Sequence, residues 1–566
     1  MSQELDFTSL WCDLLFEELY RSGLREVCLA PGSRSAPLTL AADRHKGLTC
    51  HCHFDERGLG FFALGLARAK QEPVVVLTTS GTAVANLSPA IHEAQESGVP
   101  LIILTADRPP ELLGCGANQT MNQYSVFGSA PVRSVYLPSP EPSLPARWLL
   151  STISEAAAVL KSPEGGAVHI NQQLREPLYG NGAAHDQKAW LAPVQSWLEG
   201  NQPICEWSSF PAVIPEQNLP QHQKVVVIAG VLSPQEAEAV QQLAQRAHCL
   251  LIADIQSGLH GAENALNCAD LLLDNSDIQD QLHQATLVLQ FGRRFVGKRI
   301  GQWLKKYNGE HWYIDPRQDR QDAFASVTRR ITASIESFCP SLQFPNLDAA
   351  WAETLRNSSR KLADVVATAI QREGELTESW AVAQIKSAMN SEHLFVGNSM
   401  PIRLFDSLST GVSPKHVVAN RGISGIDGLV SSAAGHSQGS QEKTVLVIGD
   451  LSLLHDLNAL ALAARHRLLV VVLNNSGGSI FNIFPVANSE THTRFFQVEH
   501  DLQFAGAANM FGLNYCAPAS REDFASDFRE ALTSDHGALI EVVTPPDEAT
   551  NQFARLKQNA RNTQWL

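Results

Sequence analysis

The chain has 566 residues, of which 44% are hydrophobic, and at about 100–200 residues per domain this length predicts about three globular domains. The formal net charge of −15 argues against nucleic-acid binding, because an acidic chain repels phosphate backbones. The first residues, MSQELDFTSLW, do not resemble a signal peptide, no apolar run is long enough to span a membrane, and the ten cysteines are scattered, so we expect a cytoplasmic protein without membrane insertion.

The first third of the chain alternates predicted strands and helices. Strands are predicted at 26–30, 50–54, 73–79, 100–106 and 167–171, and short polar turns follow the first four. These four strands are spaced by roughly 25 residues, which is typical of βα units in a parallel sheet.

The same alternation returns in the middle and last thirds. Val225–Ala229 is a predicted buried strand, and Ser233, Pro234 and Glu236 form a capping box that starts the next helix. The sequence therefore predicts an α/β protein of three doubly wound parallel-sheet domains. Their predicted bounds are 1–185 for an N-terminal domain, 186–345 for a central domain and 346–566 for a C-terminal domain. Further strands are predicted in CLLIADI, TLVLQFG, HWYID, HLFVGNS, HVVANRG, TVLVIGD, LLVVVLNN and ALIEVVT.

The stretch Cys50-His51-Cys52-His53 contains metal-binding residue types but does not predict a zinc site. A structural zinc site takes four ligands, usually from two separated pairs, and no second pair stands at ligand spacing here. On a strand, alternate side chains face opposite ways, so these four cannot converge. We expect a buried strand of small, soft residues instead.

Polar side chains follow two predicted strands of the last third. Asp450 follows TVLVI and Asn475 follows LLVVVL. In parallel sheets ligands bind beyond the carboxyl ends of strands, so we expect both side chains in one crevice. With a backbone carbonyl near Gly477, they offer the oxygen ligands that Mg²⁺ prefers alongside phosphate and water. Taken singly, each residue is better explained by a helix cap or a turn, but the joint spacing favours a magnesium site.

The segment between Asp450 and Asn475 is predicted to be a helix. Its apolar residues recur at i, i+3, i+4 and i+7, which is the spacing of one buried helical face. That face would consist of Leu457, Leu460, Ala461 and Ala464.

The sequence Gly-Asp-x-Ser, followed about two dozen residues later by Asn-Asn, resembles the thiamine-diphosphate signature of 2-oxoacid decarboxylases and carboligases. The resemblance implies a thiamine-diphosphate-binding fold with Mg²⁺, or Mn²⁺, held by Asp450, Asn475 and the Gly477 carbonyl. It also places Ser452 at the cofactor. Leu451 stands where the more familiar signature has glycine, which leaves the expected ligands intact.

Glu56 lies at the start of a predicted helix, directly after the strand at 50–54. Alone, the Asp55-Glu56 pair would be read as a solvated helix cap. In enzymes of this superfamily an early glutamate bonds to N1′ of the aminopyrimidine, so the resemblance assigns that role to Glu56 and leaves Asp55 structural. Gly58 and Gly60 are expected to leave room for a flat ring. The buried stripe of the helix would be Leu59, Phe62, Ala63 and Leu66.

The segment NRGISGIDG at 420–428 offers a support for the folded cofactor. The two cofactor rings must meet, which requires a bulky apolar side chain beneath them. Ile426 is the candidate, and a core isoleucine is an equally good reading of the sequence alone.

Five arginines, most of them just after a predicted strand, suggest a pocket for anions. They are Arg34, Arg108, Arg299, Arg403 and Arg421. Arginine pairs bidentately with carboxylates, and binding residues concentrate in such loops. Any one of them could be a surface ion pair of little value, but the five together favour an anionic substrate.

From about residue 10 to about residue 545, the chain resembles the family of this superfamily that acts in menaquinone biosynthesis. Its members are transferases that decarboxylate 2-oxoglutarate and add the succinyl carbanion to isochorismate. Both substrates are dianions, which suits the arginines. The segments that carry the resemblance are APGSRSAPL, DERGLGFFALG, SGTAVANL, TADRP, GANQT, GNSMPIR, NRGISGIDG and GDLSLLHDLNAL.

The family resemblance also implies residue roles. Ser399, Arg403 and Arg421 would hold the succinyl group, and Gln119 would help proton transfer. The expected isochorismate contacts are Ser33, Arg34, Arg108, Asn118, Gln119, Lys298 and Arg299, and the expected apolar wall is Ile480, Phe481 and Phe484. Similar enzymes are homo-oligomers whose active sites lie between the first domain of one subunit and the last domain of another.

Two alternatives stay open from the sequence. One is another carboligase or decarboxylase of the superfamily, such as an acetohydroxyacid synthase relative, some of which carry flavin in the central domain. VVVIAGVLSP lacks the G-x-G-x-x-G pattern, so dinucleotide binding there is unsupported. The other is a catalytically silent binding protein of the same fold, which the presence of Glu56, Asp450 and Asn475 disfavours.

Overall fold

The computed structural model describes residues 6–162, 165–179, 187–208, 213–409, 414, 416–483 and 489–565. The chain divides into two compact units. Unit 1 comprises Met1–Ser209 and Asn420–Gln441, and unit 2 comprises Phe210–Ala419 and Glu442–Leu566.

Unit 1 contains a six-stranded, fully parallel sheet in the order β2-β1-β3-β4-β6-β5. The strands are β1 (Glu26–Leu29), β2 (Thr49–Cys52), β3 (Val74–Thr78), β4 (Leu101–Asp107), β5 (Arg133–Leu137) and β6 (Ala167–Gln173). Every residue of β3, β4 and β6 is buried, as expected for central strands of a parallel sheet with both faces covered.

Helices flank this sheet and supply its core. They are Phe7–Arg21, Ala36–Arg44, Glu56–Lys70, Thr82–Ala85, Ser88–Ser97, Ala146–Val159, Lys188–Leu191, Gln195–Glu199 and Leu429–Ser440. The helices Glu56–Lys70 and Leu429–Ser440 cross with their backbones in contact. A Cβ atom at Gly65 would collide with the Ser432 carbonyl oxygen, and one at Gly435 with the Phe62 carbonyl oxygen. Glycine is therefore required on both sides of this crossing.

Unit 2 begins with a five-stranded parallel sheet in the order β12-β11-β10-β8-β9, beside a two-stranded pairing of β7 with β13. Its strands are β7 (Gln217–Asn218), β8 (Val225–Ala229), β9 (Leu250–Ala253), β10 (Leu287–Phe291), β11 (Glu310–Asp315), β12 (Arg329–Thr332) and β13 (Leu342–Gln343). The predicted strand Val225–Ala229 and the capping box of Ser233 with Glu236 are both confirmed.

The second sheet of unit 2 has six parallel strands in the order β15-β14-β16-β17-β19-β18. They are β14 (His393–Val396), β15 (Val417–Val418), β16 (Thr444–Gly449), β17 (Leu469–Asn474), β18 (Asn514–Cys516) and β19 (Ala538–Val543). One buried apolar cluster includes Ile228 of the first sheet and Val447 of the second, so the two sheets of unit 2 share a core. The prediction of an α/β protein built on parallel sheets is confirmed.

The helices of unit 2 lie between these strands in chain order. They are Pro234–Arg246, Ala269–Leu272, Ser276–Leu282, Lys298–Leu304, Ile335–Phe338, Ala349–Arg372, Glu378–Ala388, Met400–Ser407, Asp450–His455, Leu460–Arg465, Glu490–His492, Ala505–Phe511, Arg521–Thr533 and Glu548–Asn562. None of the helices in the described part of the chain combines the length and apolarity needed to cross a membrane.

The predicted helical face after Asp450 is wrong. The helix Asp450–His455 ends at Asp456, and a 3₁₀ turn precedes the next helix, Leu460–Arg465. This break shifts the helical phase, so of the four predicted residues only Leu460 is buried. The residues that face the core are Leu453, Ala459, Leu460, Leu462 and Ala463.

The prediction of a buried strand at Cys50-His51-Cys52-His53 is also wrong for its first three residues, although His53 is buried. β2 is the edge strand of its sheet, and its residues are exposed or half-buried. An edge strand tolerates this composition because one side of its ladder faces solvent. Among the described residues, no group of three or more His, Cys, Asp or Glu side chains is placed to hold a metal ion.

Candidate active site

Asp450 is fixed at the carboxyl end of β16 by two backbone donors. Its Oδ1 accepts the Leu451 N–H at 2.7 Å and its Oδ2 accepts the Gly477 N–H at 2.8 Å. The His500 Nε2 atom lies 3.3 Å from Oδ2. Burial raises the pKa of the Asp450 carboxyl, and the two N–H groups oppose that rise. The carboxylate is thus oriented by the turn that follows the next strand.

Asn475 follows β17, and only the Nδ2 end of its side-chain amide forms a hydrogen bond with a described residue. Its Nδ2 donates to Glu378 Oε1 at 2.7 Å. Its Oδ1 is buried and has no hydrogen-bond partner among the described residues. An unpaired buried acceptor costs about 1–3 kcal/mol, so such an atom calls for a ligand.

Gly477 holds the turn that brings these groups together. Its φ is +136°, and a Cβ atom there would lie 2.5 Å from the Gln497 carbonyl oxygen, so only glycine fits. The Gly477 carbonyl oxygen accepts the Ser479 N–H at 2.9 Å, and a carbonyl oxygen can accept from or bind a second partner through its other lone pair.

Asp450, Asn475 and the Gly477 carbonyl therefore fit a divalent cation. They offer one anionic, one amide and one backbone oxygen, a hard donor set that suits Mg²⁺ better than softer metals. The buried Asn475 Oδ1, to which none of the described residues donates, is the observation that favours a ligand site over a purely structural turn. Ser452 is buried in the helix that Asp450 starts.

Sequence reasoning missed a buried acid behind this set. Glu378 is 1% exposed, and burial raises its pKa to about 7, although the hydrogen bond from Asn475 acts to lower it. Its backbone N–H donates to Glu548 Oε2 at 3.1 Å, and burial raises the pKa of Glu548 to about 7 as well. In the sequence, Glu378 follows the N-cap Thr377 and so resembles an ordinary first-turn acid.

In unit 1, Glu56 is the first residue of the helix Glu56–Lys70 and is half-buried. The preceding Asp55 is the N-cap, with its Oδ1 accepting the Arg57 N–H at 3.0 Å, which confirms its structural role. The predicted stripe of the helix is buried throughout, at Leu59, Phe62, Ala63 and Leu66.

The expectation that Gly58 and Gly60 leave room for a ring is wrong. A Cβ atom at Gly58 would lie 3.1 Å from both His53 Nε2 and Ser431 Oγ, and one at Gly60 would lie 3.0 Å from Ala90 Cβ. The protein itself fills this space, so both glycines serve helix packing.

Three models of thiamine pyrophosphate enzymes match the chain in order. The N-terminal TPP binding domain of these enzymes matches residues 12–126, their middle domain matches 188–396, and their C-terminal TPP binding domain matches 408–542. Together these matches span most of the chain.

Curated relatives cover nearly its whole length. The chain is 41% identical to the 2-succinyl-5-enolpyruvyl-6-hydroxy-3-cyclohexene-1-carboxylate synthase of Aeromonas salmonicida, with 98% of each chain covered. It is 42% identical to the synthase of that name from Cronobacter sakazakii, covering 97% of this chain and 98% of the relative. The protein belongs to the 2-succinyl-5-enolpyruvyl-6-hydroxy-3-cyclohexene-1-carboxylate synthase family of thiamine-diphosphate-dependent enzymes. The family predicted from the motifs is thereby confirmed.

Ile426, the residue expected to support the cofactor rings of the synthase, lies in a loop that the buried Glu93 holds in place. Glu93 accepts the Gly422 N–H and the Ile423 N–H, each at 2.7 Å. Arg421 and Ile426 lie in this loop and are half-buried. The whole segment Asn420–Gln441 belongs to unit 1.

The residues expected at the succinyl group of the synthase are divided between the units. Ser399 and Arg403 lie in unit 2, where Ser399 has a φ of +72° and Arg403 donates to its carbonyl oxygen at 2.5 Å. Such a backbone angle is uncommon for serine and is found at functional sites. Arg421 lies in unit 1.

The expected apolar wall is partly described. Ile480 packs against the core of unit 2, and the rings of Phe481 and Phe496 are 5.9 Å apart. Phe484 lies outside the described residues.

Arg34, an expected isochorismate contact of the synthase, is buried and already paired. It donates to the Leu174 carbonyl at 2.9 Å and to Glu176 Oε1 at 3.0 Å. The neighbouring Ser33 is exposed, with its Oγ 3.3 Å from the Tyr179 hydroxyl. These hydrogen bonds stabilise unit 1 whether or not a substrate is bound.

The other expected isochorismate contacts in unit 1 lie between β4 and β5. Arg108 comes directly after β4 and is half-buried. Asn118 and Gln119 are exposed, and Gln119 Nε2 donates to the Ser80 carbonyl at 3.0 Å. The side chain that would aid proton transfer is thus anchored to the loop after β3.

Lys298 and Arg299 begin the helix Lys298–Leu304 in unit 2. Lys298 is exposed, whereas the Arg299 Nε lies 3.1 Å from Asp274 Oδ1 and the Arg299 N–H donates to Asp270 Oδ1 at 2.6 Å. Of this pair, Lys298 is the cation with more solvent access.

Proposed function

We propose that this chain catalyses the thiamine-diphosphate-dependent decarboxylation of 2-oxoglutarate and the addition of the succinyl unit to isochorismate. The products are CO₂ and 2-succinyl-5-enolpyruvyl-6-hydroxy-3-cyclohexene-1-carboxylate. The observation that carries this proposal is identity of about 40% over nearly the whole chain to synthases of that name. An acetohydroxyacid-type carboligase is disfavoured because the relatives reported above are named for the 2-succinyl-5-enolpyruvyl-6-hydroxy-3-cyclohexene-1-carboxylate product.

Thiamine diphosphate would be held as the resemblance implies, between the first domain of one subunit and the last domain of another. When bound, thiamine diphosphate supplies the electron sink that lets a 2-oxoacid lose CO₂. Asp450, Asn475 and the Gly477 carbonyl would hold Mg²⁺, or Mn²⁺, against its diphosphate. This assignment is supported by the buried Asn475 Oδ1, which has no partner among the described residues.

The remaining cofactor contacts are proposed from the resemblance. Glu56 would hydrogen-bond N1′ of the aminopyrimidine, as the half-buried first residue of its helix. Ile426 would support the rings from the loop that Glu93 fixes. Ser452 and Ile480 would line the cofactor in unit 2.

Substrate carboxylates would bind to arginine. Arg403, Arg421 and Ser399 would hold the succinyl group, with Arg403 already anchored through the Ser399 carbonyl. Arginine suits this role because its planar group binds a carboxylate with two parallel hydrogen bonds. The isochorismate contacts would be Ser33, Arg34, Arg108, Asn118, Gln119, Lys298 and Arg299, and the apolar wall would be Phe481 and Phe484.

Assembly, location and domain bounds are proposed from the resemblance and the sequence. The protein would act in the cytoplasm as a homo-oligomer of two or four copies. The proposed domain bounds are 1–185, 186–345 and 346–566. Light scattering from the full chain tests the assembly, and a monomer would contradict it.

The reaction is tested by an assay with 2-oxoglutarate, isochorismate, thiamine diphosphate and Mg²⁺, with the product followed by mass. We expect product only when all four are present. Replacing 2-oxoglutarate by pyruvate is the matched control. Faster product formation from pyruvate would replace this proposal with an acetohydroxyacid-type activity.

A further inference from the structure

Glu378 holds the side chain of Asn475 from behind. Its Oε1 accepts Asn475 Nδ2 at 2.7 Å and the Thr544 hydroxyl at 3.3 Å. The carboxyl group is buried at the first turn of the helix Glu378–Ala388, and its own backbone N–H donates to Glu548. The side chain is therefore held in place independently of Asn475.

The orientation of an asparagine amide depends on what its two ends contact. Glu378 Oε1 accepts hydrogen bonds from both Asn475 Nδ2 and the Thr544 hydroxyl, so the Nδ2 end of the amide faces Glu378. The Oδ1 end is then directed away from Glu378, and it is this atom that has no partner among the described residues. If the amide were reversed, its N–H groups would face the cation site and could not act as ligands.

We propose that Glu378 is a positioning residue that presents Asn475 Oδ1 to the metal ion. This inference rests on the proposed metal site and extends it to a residue that does not touch the ion. Hydrogen-bonding partners of metal ligands orient those ligands and strengthen their donor atoms, and losing one weakens metal affinity by about 10–100-fold.

A neighbouring pair of the same chemistry serves as an internal comparison. Asn474 Nδ2 donates to Glu541 Oε1 at 2.6 Å, and Glu541 is also fully buried. Asn474 Oδ1, however, accepts the Ser476 N–H at 3.1 Å. Both ends of Asn474 are thus satisfied by the protein, so this pair supports the fold without presenting an open ligand atom.

The test measures how much Mg²⁺ the full-length protein needs for half-maximal binding of thiamine diphosphate, read from tryptophan fluorescence. Glu378→Leu removes the acceptor while keeping an apolar volume, and we expect the Mg²⁺ requirement to rise about 10–100-fold. The chemically matched control is Glu541→Gln, for which we expect a lower melting temperature and an unchanged Mg²⁺ requirement.

An exchanged pair keeps the test informative if Glu378→Leu does not fold. Glu378→Gln combined with Asn475→Asp retains the side-chain volumes and reverses the hydrogen bond. The amide at 378 now donates to the carboxylate at 475. Asn475→Asp alone would set two carboxylates against each other. We therefore expect the single Asn475→Asp variant to need more Mg²⁺ than the double variant, and an equal requirement in both would overturn the inference.

The controls separate this inference from the metal site itself. If Asn475→Ala raises the Mg²⁺ requirement while folded Glu378→Leu does not, the role of Glu378 is wrong and the metal site stands. If Asn475→Ala binds cofactor with the wild-type Mg²⁺ requirement, the metal site is wrong and the role of Glu378 falls with it.

Discussion

The six-stranded sheets of the two units share one strand order, but a buried asparagine in each is satisfied differently. In unit 1, Asn171 Nδ2 donates to Asp107 at 2.8 Å, and its Oδ1 accepts Thr105 Oγ1 and Gln123 Nε2, each at 2.7 Å. In unit 2, Asn475 likewise donates to a buried carboxyl group, but its Oδ1 has no partner among the described residues. The same pairing of amide and acid is closed in one sheet and open in the other.

This difference shows what topology does and does not determine. A repeated βα order brings the same strand ends together in both sheets. Whether the amide there supports the fold or binds a ligand depends on a few side chains around it. In unit 1, Thr105 and Gln123 donate to the Asn171 Oδ1, whereas none of the described residues donates to the Asn475 Oδ1.

The largest expected effect concerns two arginines that follow equivalent strands. Arg34 comes after β1 and Arg403 after β14, each the second strand in its sheet order. Losing one partner of a buried charged hydrogen bond costs roughly 2–5 kcal/mol, or about 30- to several-thousand-fold. Arg403→Ala should therefore slow consumption of 2-oxoglutarate without isochorismate present. Arg34→Ala should also lower the stability of unit 1, and in the folded fraction it should chiefly raise the isochorismate concentration required.

Stopped-flow spectra recorded with 2-oxoglutarate alone distinguish these two variants. Arg467→Ala is the matched control, because Arg467 forms an exposed ion pair with Asp535 and should change neither step. If Arg34→Ala blocks the first step as severely as Arg403→Ala does, the division of the arginines between the two substrates is wrong.

A smaller effect would test the comparison of the two amides directly. Asn171→Ala leaves Asp107, Thr105 and Gln123 short of buried partners, so we expect a loss of about 2–4 kcal/mol in the free energy of unfolding. Asn475→Ala removes one donor to the buried Glu378 and an acceptor that has no described partner, so its loss should be smaller, about 1–2 kcal/mol. Urea unfolding of the cofactor-free protein measures both. Equal losses would mean that Asn475 is as structural as Asn171.

Much of the fold could be predicted from local sequence signals. Continuous apolar runs marked the buried strands, as at Val225–Ala229, and the capping box of Ser233 with Glu236 marked a helix start. Asp450 and Asn475 were found because both follow such strands. These features depend on neighbouring residues, which a single sequence displays.

What the sequence did not predict depends on contacts between distant segments. The break at Asp456 changed which face of the following helix is buried. The space beside Gly58 is occupied in part by Ser431, a residue far along the chain. Glu378 precedes Asn475 by 97 residues, and nothing in its local sequence indicates their hydrogen bond. The inclusion of Asn420–Gln441 in unit 1 is likewise a tertiary feature.

The central claim of the proposed function is that Glu56 acts on the chemistry of thiamine diphosphate and Asp450 on its binding. The direct measurement is deuterium exchange at C2 of bound thiamine diphosphate, with cofactor affinity measured on the same samples. We expect Glu56→Gln to slow exchange by about 10²–10⁴-fold with a much smaller change in affinity, since general acid–base groups contribute in that range. Asp450→Ala should abolish Mg²⁺-dependent binding. Wild-type exchange in Glu56→Gln, or wild-type affinity in Asp450→Ala, would contradict the claim.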